Sequence, residues 1–240
     1  MKTIFKIHFS FLVFVLLLLF SGYINYVIIF FLIIITHELG HIIMLKLLGY
    51  KVTKIILYPM GGIITTNINI NISSNKLFLI SISGILMQLV LYLIVPVSLN
   101  NYELFLNLNK MLIIYNLLPV YPLDGYKIYL SILERVVPYS IAIKLFYGIS
   151  FISIFILFYY TKSIIIFIYL YYLNISYILN YKYYMHKFLL ERYLYKFKYC
   201  KIKYVSSINM LFKTRYNYIK YGNIYIEEKD ALSHNFVSNH

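Results

Sequence analysis

Apolar runs long enough to form membrane-crossing helices fall at about 4–21, 23–45, 77–98, 103–119, 140–160 and 163–181. The first two are joined by Ser21-Gly22-Tyr23 alone, a link short enough to force a helical hairpin. Gly49 stands where the second helix should end, as a C-terminal cap. Between runs two and three, Lys51–Tyr58 and Ile63–Ile70 have strand-like composition, with clear alternation only in the second. Pro59-Met60-Gly61-Gly62 between them is a turn signal. After the last run the pattern changes to short strand-like pieces, Ile202–Val205 and Tyr218–Ile226, around a helix-like Ile208–Lys213. These patterns predict an all-α membrane domain of six transmembrane helices over residues 1–181, with a β-hairpin after the second helix. A short α/β tail over residues 182–240 follows.

Composition agrees with the pattern. The chain is 62% hydrophobic and 12% charged, whereas soluble domains are about 25% charged. The excess of Ile, Asn, Lys and Tyr reads as AT-biased coding and carries no functional message. Cys200 is the only cysteine, which excludes an intrachain disulfide or a Cys-ligated metal; it reads as a reduced structural thiol. Lys2 and Lys6 before an apolar core resemble a signal peptide, but no small-x-small cleavage site follows, so a retained first span is expected.

Charge sets orientation. Lys46, Lys51, Lys54 and Lys76 follow run two, and Lys127, Arg135 and Lys144 follow run four. The tail carries 11 of the 22 basic residues against 4 of the 8 acids. Six spans with both termini in the cytoplasm satisfy all of these biases. Residues 182–203 interleave Lys and Arg with Tyr and Phe, which next to a final span fits contact with anionic lipid better than nucleic acid.

Four carboxylates are present in the first 181 residues: Glu38, Glu103, Asp124 and Glu134. Glu38 lies in Thr36-His37-Glu38-Leu39-Gly40-His41, at the end of the apolar run Ile24–Ile35. The i, i+4 spacing puts both imidazoles on one helix face. At 1.5 Å per residue from Tyr23, His37 lies roughly 21 Å and His41 roughly 27 Å into a hydrocarbon core of about 30 Å. Two imidazoles and a carboxylate at that depth cost several kcal/mol unless paired or bound to metal. Two neutral imidazoles suit Zn²⁺, which lowers the pKa of a bound water to about 7. Glu38 is placed to take that water's proton and return it to a leaving amine.

A catalytic zinc needs a third protein ligand and one open position. Glu103 falls at the outer end of run four, on the wrong side. Glu134, in Ser131-Ile132-Leu133-Glu134-Arg135, reads as a solvated surface charge. Asp124 sits in Asn116-Leu117-Leu118-Pro119-Val120-Tyr121-Pro122-Leu123-Asp124-Gly125, where two prolines unwind the end of run four at the depth of His41. It is the best placed of the three, with an Asx turn before Gly125 as its other role. Three function classes fit these residues: a zinc protease using Asp124, a membrane zincin using a glutamate such as Glu134, and a non-enzymatic transporter or scaffold with a polar pathway.

His37-Glu38-Leu39-Gly40-His41 and Asn116…Pro122-Leu123-Asp124-Gly125 together resemble the paired signatures of the site-2 proteases, the intramembrane zinc metalloproteases. The resemblance covers roughly residues 1–180. It implies Zn²⁺ as cofactor, His37, His41 and Asp124 as its ligands, Glu38 as catalytic base and Asn116 as a substrate-positioning residue. It also implies that the hairpin dips into the membrane near the metal and pairs with an extended substrate, a form of strand addition. Within the family the wording looks most like the sporulation branch. That branch is similar in cutting a membrane-associated pro-sigma factor, pro-sigma-K, in the mother-cell membrane around the forespore. The resemblance further implies inhibitory membrane proteins as partners and is compatible with a homo-oligomer. Members of that branch often end in a nucleotide-sensing CBS domain; the 40 residues after Cys200 fit at most a truncated half of one.

Overall fold

The structure is a computed structural model that describes residues 4–20, 22–58, 61–96, 101–197, 199 and 201–237. Cys200 and the Pro59-Met60 turn tip lie outside the described residues. The chain forms two compact units: Met1–Ile68 with Leu79–Leu117, and Asn69–Phe78 with Leu118–His240.

The first unit opens with β1 (Ile4–Ile7) and α1 (Phe9–Phe20). A helix was expected from residue 4; the chain instead pairs Ile4–Ile7 in parallel with the strand β2 (Val52–Tyr58). Four residues, three of them apolar, look the same in a helix or a strand, and here the free edge of β2 decides. The remaining helix is 12 residues, roughly 18 Å by helix rise, against a core of about 30 Å. β2 pairs antiparallel with β3 (Gly61–Thr66), giving sheet order β1-β2-β3. β3 ends at Thr66 where the second strand was expected to run to Ile70, and β1 adds a third strand to the antiparallel pair.

α2 (Ile24–Leu47) is the long helix of this unit. Its end follows the glycine rule: Gly49 adopts φ +79°, its N–H bonds Lys46 O at 3.0 Å and the Tyr50 N–H bonds Leu45 O at 2.9 Å. That pair of bonds is a Schellman cap, which only a residue tolerant of positive φ closes cheaply. Ile33 and Leu45 are buried on the same side as His37, Glu38 and His41, while Ile28, Leu32, Ile35, Leu39 and Ile43 form an exposed stripe at helical spacing. Polar residues inside and apolar residues outside is the pattern of a helix whose outer face meets hydrocarbon. Ile29 and Ile33 pack with Phe105 of α4 (Tyr102–Leu117). α3 (Ser74–Ile94) has its first turn in the second unit and the rest in the first.

The second unit holds α5 (Asp124–Leu133), α6 (Tyr139–Thr161), α7 (Ile164–Leu179), α8 (Tyr181–Leu194), β4 (Ile202–Val205), a 3-10 turn at Ile208–Met210, β5 (Tyr216–Tyr221), β6 (Ile224–Glu227) and α9 (Glu228–Val237). β4 runs parallel to β5 and β5 antiparallel to β6. One core continues across residue 181: Tyr126, Tyr139, Phe146 and Tyr177 pack with Phe188, Val205, Leu211 and Leu232. Buried ion pairs fasten the tail. Arg192 pairs with Glu228, and Lys213 places its Nζ 2.9 Å from both oxygens of Glu134. Glu134 also accepts from Ser74 Oγ at 2.7 Å. The expectation of a solvated Glu134 is thus corrected: its side chain is wholly buried, because its partner lies 79 residues further along the chain.

Among the described residues, α2, α3 and α6 are long and apolar enough to cross a membrane, and α7 with α8, bent by 51°, makes a fourth if counted as one span. α4, at 16 residues, is shorter than these.

Candidate metal centre

α2 carries His37, Glu38 and His41 on its buried side. One helical turn apart, the two imidazoles meet edge to face, with centroids 4.8 Å apart and planes at 82°. Their Nε2 atoms are separated by 3.1 Å. What the other ring nitrogens touch fixes the chemistry. His41 Nδ1 lies 2.7 Å from the carbonyl oxygen of Ile80 on α3. A carbonyl only accepts, so that Nδ1 carries the proton and Nε2 keeps its lone pair. His37 Nδ1 lies 3.0 Å from Gln88 Oε1, also on α3, which sets the same tautomer. Two lone pairs then point into the same small space, an arrangement that repels unless a cation lies between them.

The space itself is shaped by glycines. A Cβ at Gly84 would stand 2.6 Å from His41 Nε2 and 2.7 Å from His37 Nε2, filling the hollow beside both nitrogens. A Cβ at Gly40 would stand 2.4 Å from Ser83 O, so α2 and α3 approach with backbone against helix face only because residue 40 has no side chain. Ser83 thus packs against Gly40, and Gly84 against the two histidines of α2. Paired neutral imidazoles, each held by an outer acceptor, and a position beside both Nε2 atoms that only a glycine leaves without a side chain fit a divalent metal with nitrogen preference.

Glu38 is buried, and its Oε1 accepts the Gly62 N–H of β3 at 2.6 Å. A Cβ at Gly62 would come within 2.7 Å of the Glu38 Cδ, so glycine is needed for the strand to reach the carboxylate. The hairpin backbone thus fixes the acid beside the two imidazoles. Gly62 and Gln88 were not singled out from the sequence. Gln88 had a signal, an amide inside an apolar run; Gly62 read only as part of a turn.

Asp124, in the second unit, is buried at the first position of α5, after an extended Leu123 at φ −63°, ψ 162°. The exposed Lys127 puts its Nζ 3.4 Å from Asp124 Oδ1. Asn116 is half-buried, one residue before the end of α4. Glu103 is exposed in the first turn of α4. Glu134 is unsuited to a metal: both its oxygens already face the Lys213 ammonium, and a second cation there would be repelled.

Residues 25–105 match the model of peptidase family M50. Over these residues the chain is similar to the M50 peptidases. It is 28% identical over 134 residues to stage IV sporulation protein FB of Bacillus subtilis (strain 168), covering 53% of this chain and 46% of that protein. It is 31% identical over 118 residues to a zinc metalloprotease of Methanocaldococcus jannaschii, covering 45% of this chain and 34% of that one. The matched region therefore spans less than half the length of either curated relative. The fold is similar to that of a solved site-2 protease from Methanocaldococcus jannaschii, with a TM-score of 0.52 and 24% identity over 73% of this chain and 92% of that one. The M50 segment contains α2, the hairpin and α3, hence both histidines, Glu38, Gly62, Gly84 and Gln88; Asn116, Asp124 and everything after them lie beyond it.

Proposed function

We propose that the chain is an intramembrane zinc metalloendopeptidase that hydrolyses a peptide bond of a membrane-associated protein near the cytoplasmic face. The observation that carries this reading is the His37–His41 pair, whose Nε2 lone pairs converge at 3.1 Å beside the Gly84 hollow. The match to M50 peptidases supports it. His37 and His41 supply two ligands, and Asp124 is the third. A buried carboxylate at the start of α5, just after a segment with two prolines, has the charge to balance the ion. When bound, Zn²⁺ supplies Lewis acidity, making a coordinated water acidic enough to lose its proton near pH 7. Glu38 receives that proton on its carboxylate and returns it to the leaving amine. The Gly62 N–H holds the Glu38 carboxylate in register for both transfers. Asn116 positions the substrate, and the β2–β3 hairpin dips into the membrane to pair with an extended substrate strand.

In this reading six segments cross the bilayer with both termini in the cytoplasm. The 182–240 tail, in part a truncated CBS-like half, rests on anionic lipid. The substrate is a pro-sigma factor, pro-sigma-K in class, processed during sporulation in the mother-cell membrane around the forespore, with membrane proteins as inhibitors. The stage IV sporulation relative supports this substrate class. The test is co-expression with a candidate pro-sigma factor and an immunoblot for its shortening, beside zinc content of the purified protein. Shortening by the native chain and not by Glu38→Gln is expected. Absence of zinc would remove the protease and leave a transporter or scaffold.

A further inference from the structure

The segment between α4 and α5 leads directly into Asp124, and its own backbone bonds, Val120 N–H to Leu118 O and Leu123 N–H to Val120 O, both 2.8 Å, leave Tyr121 out. Pro119 and Pro122 have no N–H. Tyr121, between them, has both backbone groups taken by side chains of the last two apolar helices. Its N–H reaches Ser150 Oγ of α6 at 3.4 Å, and its carbonyl accepts from Asn174 Nδ2 of α7 at 3.1 Å. Ser150 in turn donates to Asn174 Oδ1 at 2.5 Å. The three groups form a closed ring, Tyr121 to Ser150 to Asn174 and back. The second N–H of Asn174 goes to Leu170 O at 2.9 Å, so no polar group of the amide is spare. Ser150 and Asn174 are each about 1% exposed. The Tyr121 ring adds a stacked contact on Tyr177 of α7, with centroids 4.2 Å apart and planes at 13°.

A serine and an asparagine buried in long apolar helices are costly and need a purpose. Stabilising α6 against α7 would serve, but that pair already packs through Phe151–Tyr171 and Phe155–Phe167 contacts. The ring instead spends its hydrogen bonds on the backbone of a residue three positions before Asp124. We infer that Asn174 and Ser150 are positioning residues that fix the segment presenting Asp124, so that α6 and α7, outside the M50-matched residues 25–105, serve the metal centre. This rests on the reading of Asp124 as the third zinc ligand.

The experiment uses the full chain purified in detergent. Zinc affinity is read by competition with a chelator, the ligand field by the visible spectrum of the Co²⁺ form, and folding by thermal melting of the metal-free protein. Asn174→Leu and Ser150→Ala should each lower zinc affinity by about tenfold to a hundredfold, the usual effect of losing an outer-shell support, and should shift the Co²⁺ bands. Asn174→Gln, which keeps the amide, should recover part of the loss. In an Asp124→Ala background, Asn174→Leu should cost nothing further, because a group acting through Asp124 has nothing left to act on. Equal losses in both backgrounds would mean general stability alone and overturn the inference. So would native affinity in both Asn174→Leu and Ser150→Ala while Asp124→Ala is weak. If Asn174→Leu fails to fold, Ser150→Ala in the two backgrounds decides. Native zinc affinity in Asp124→Ala would instead bring down the ligand assignment itself.

Discussion

Gly84→Ala is the sharpest single perturbation of the centre. The added methyl would stand 2.6 Å from His41 Nε2 and from His37 Cε1, and 2.7 Å from His37 Nε2. Ordinary contact begins near 3.4 Å, so the imidazoles must give way by roughly 0.8 Å, close to the displacement that costs about a hundredfold in rate. They have little freedom to do so, being held by Gln88 Oε1 and Ile80 O on the same helix as the methyl. Backing α3 away is also hindered, since it means undoing the approach of Ser83 to Gly40. Helix propensity acts in the opposite direction: alanine favours an α-helix over glycine by about 1 kcal/mol. Overpacking of about 1–3 kcal/mol outweighs that gain, so without metal the variant should melt modestly below the native chain, and it should bind zinc about a hundredfold more weakly or worse and cleave at about 1% or less. Zinc per protein, chelator competition, melting and substrate shortening are measured side by side. Gly148→Ala, where an added Cβ meets nothing within 4 Å, is the matched control and should be silent. Full zinc and full cleavage in Gly84→Ala would refute the placement of the metal between these imidazoles.

Glu38→Gln should keep fold and zinc while abolishing cleavage, because an amide cannot take the proton; more than a few per cent of activity in a cleavage assay would remove Glu38 from the mechanism. Gln88→Leu should weaken zinc about tenfold to a hundredfold by releasing the His37 N–H, with Gln88→Glu restoring it; a chelator titration of both reads the outcome, and native affinity in Gln88→Leu would sink the tautomer argument. Lys213→Met leaves Glu134 buried and uncompensated and should cost about 3–5 kcal/mol in unfolding, most of it recovered in Lys213→Met with Glu134→Leu; equal instability of single and double variants in denaturant melts would show that the pair does not matter. Reporter fusions after Thr161 should read outside and after Asn239 cytoplasm; a C-terminus found outside would overturn the six-span topology.

Local pattern served well where the structure is locally determined. The α2 helix, its His-Glu-x-x-His face and its Gly49 cap depend on residues within a few positions of one another, and all read directly from the chain. The two strand-like runs were legible as well, since a glycine-rich turn between β-branched residues is a short-range signal, but the second was read four residues too far, to Ile70 and not Thr66. What escaped were pairings fixed over distance. Ile4–Ile7 becomes a strand because β2, some fifty residues on, offers an edge. Glu134 looks solvated beside Arg135 until Lys213 is brought to it. The ring of Tyr121, Ser150 and Asn174 has no sequence period at all, because its members come from a loop and two separate helices.

The exposed stripe of α2 has a consequence for how this chain tolerates change. Ile28, Leu32, Ile35, Leu39 and Ile43 all keep a large part of their surface outside the protein. Any residue soluble in hydrocarbon can stand there, and a charge costs several kcal/mol wherever its shape might fit. Between them Ile33, His37, Gly40, His41 and Leu45 are buried, and at Gly40 one added methyl meets the Ser83 backbone. A saturation scan along this one helix should return two interleaved profiles at the same 3.6-residue period, one sensitive only to polarity and the other to every atom.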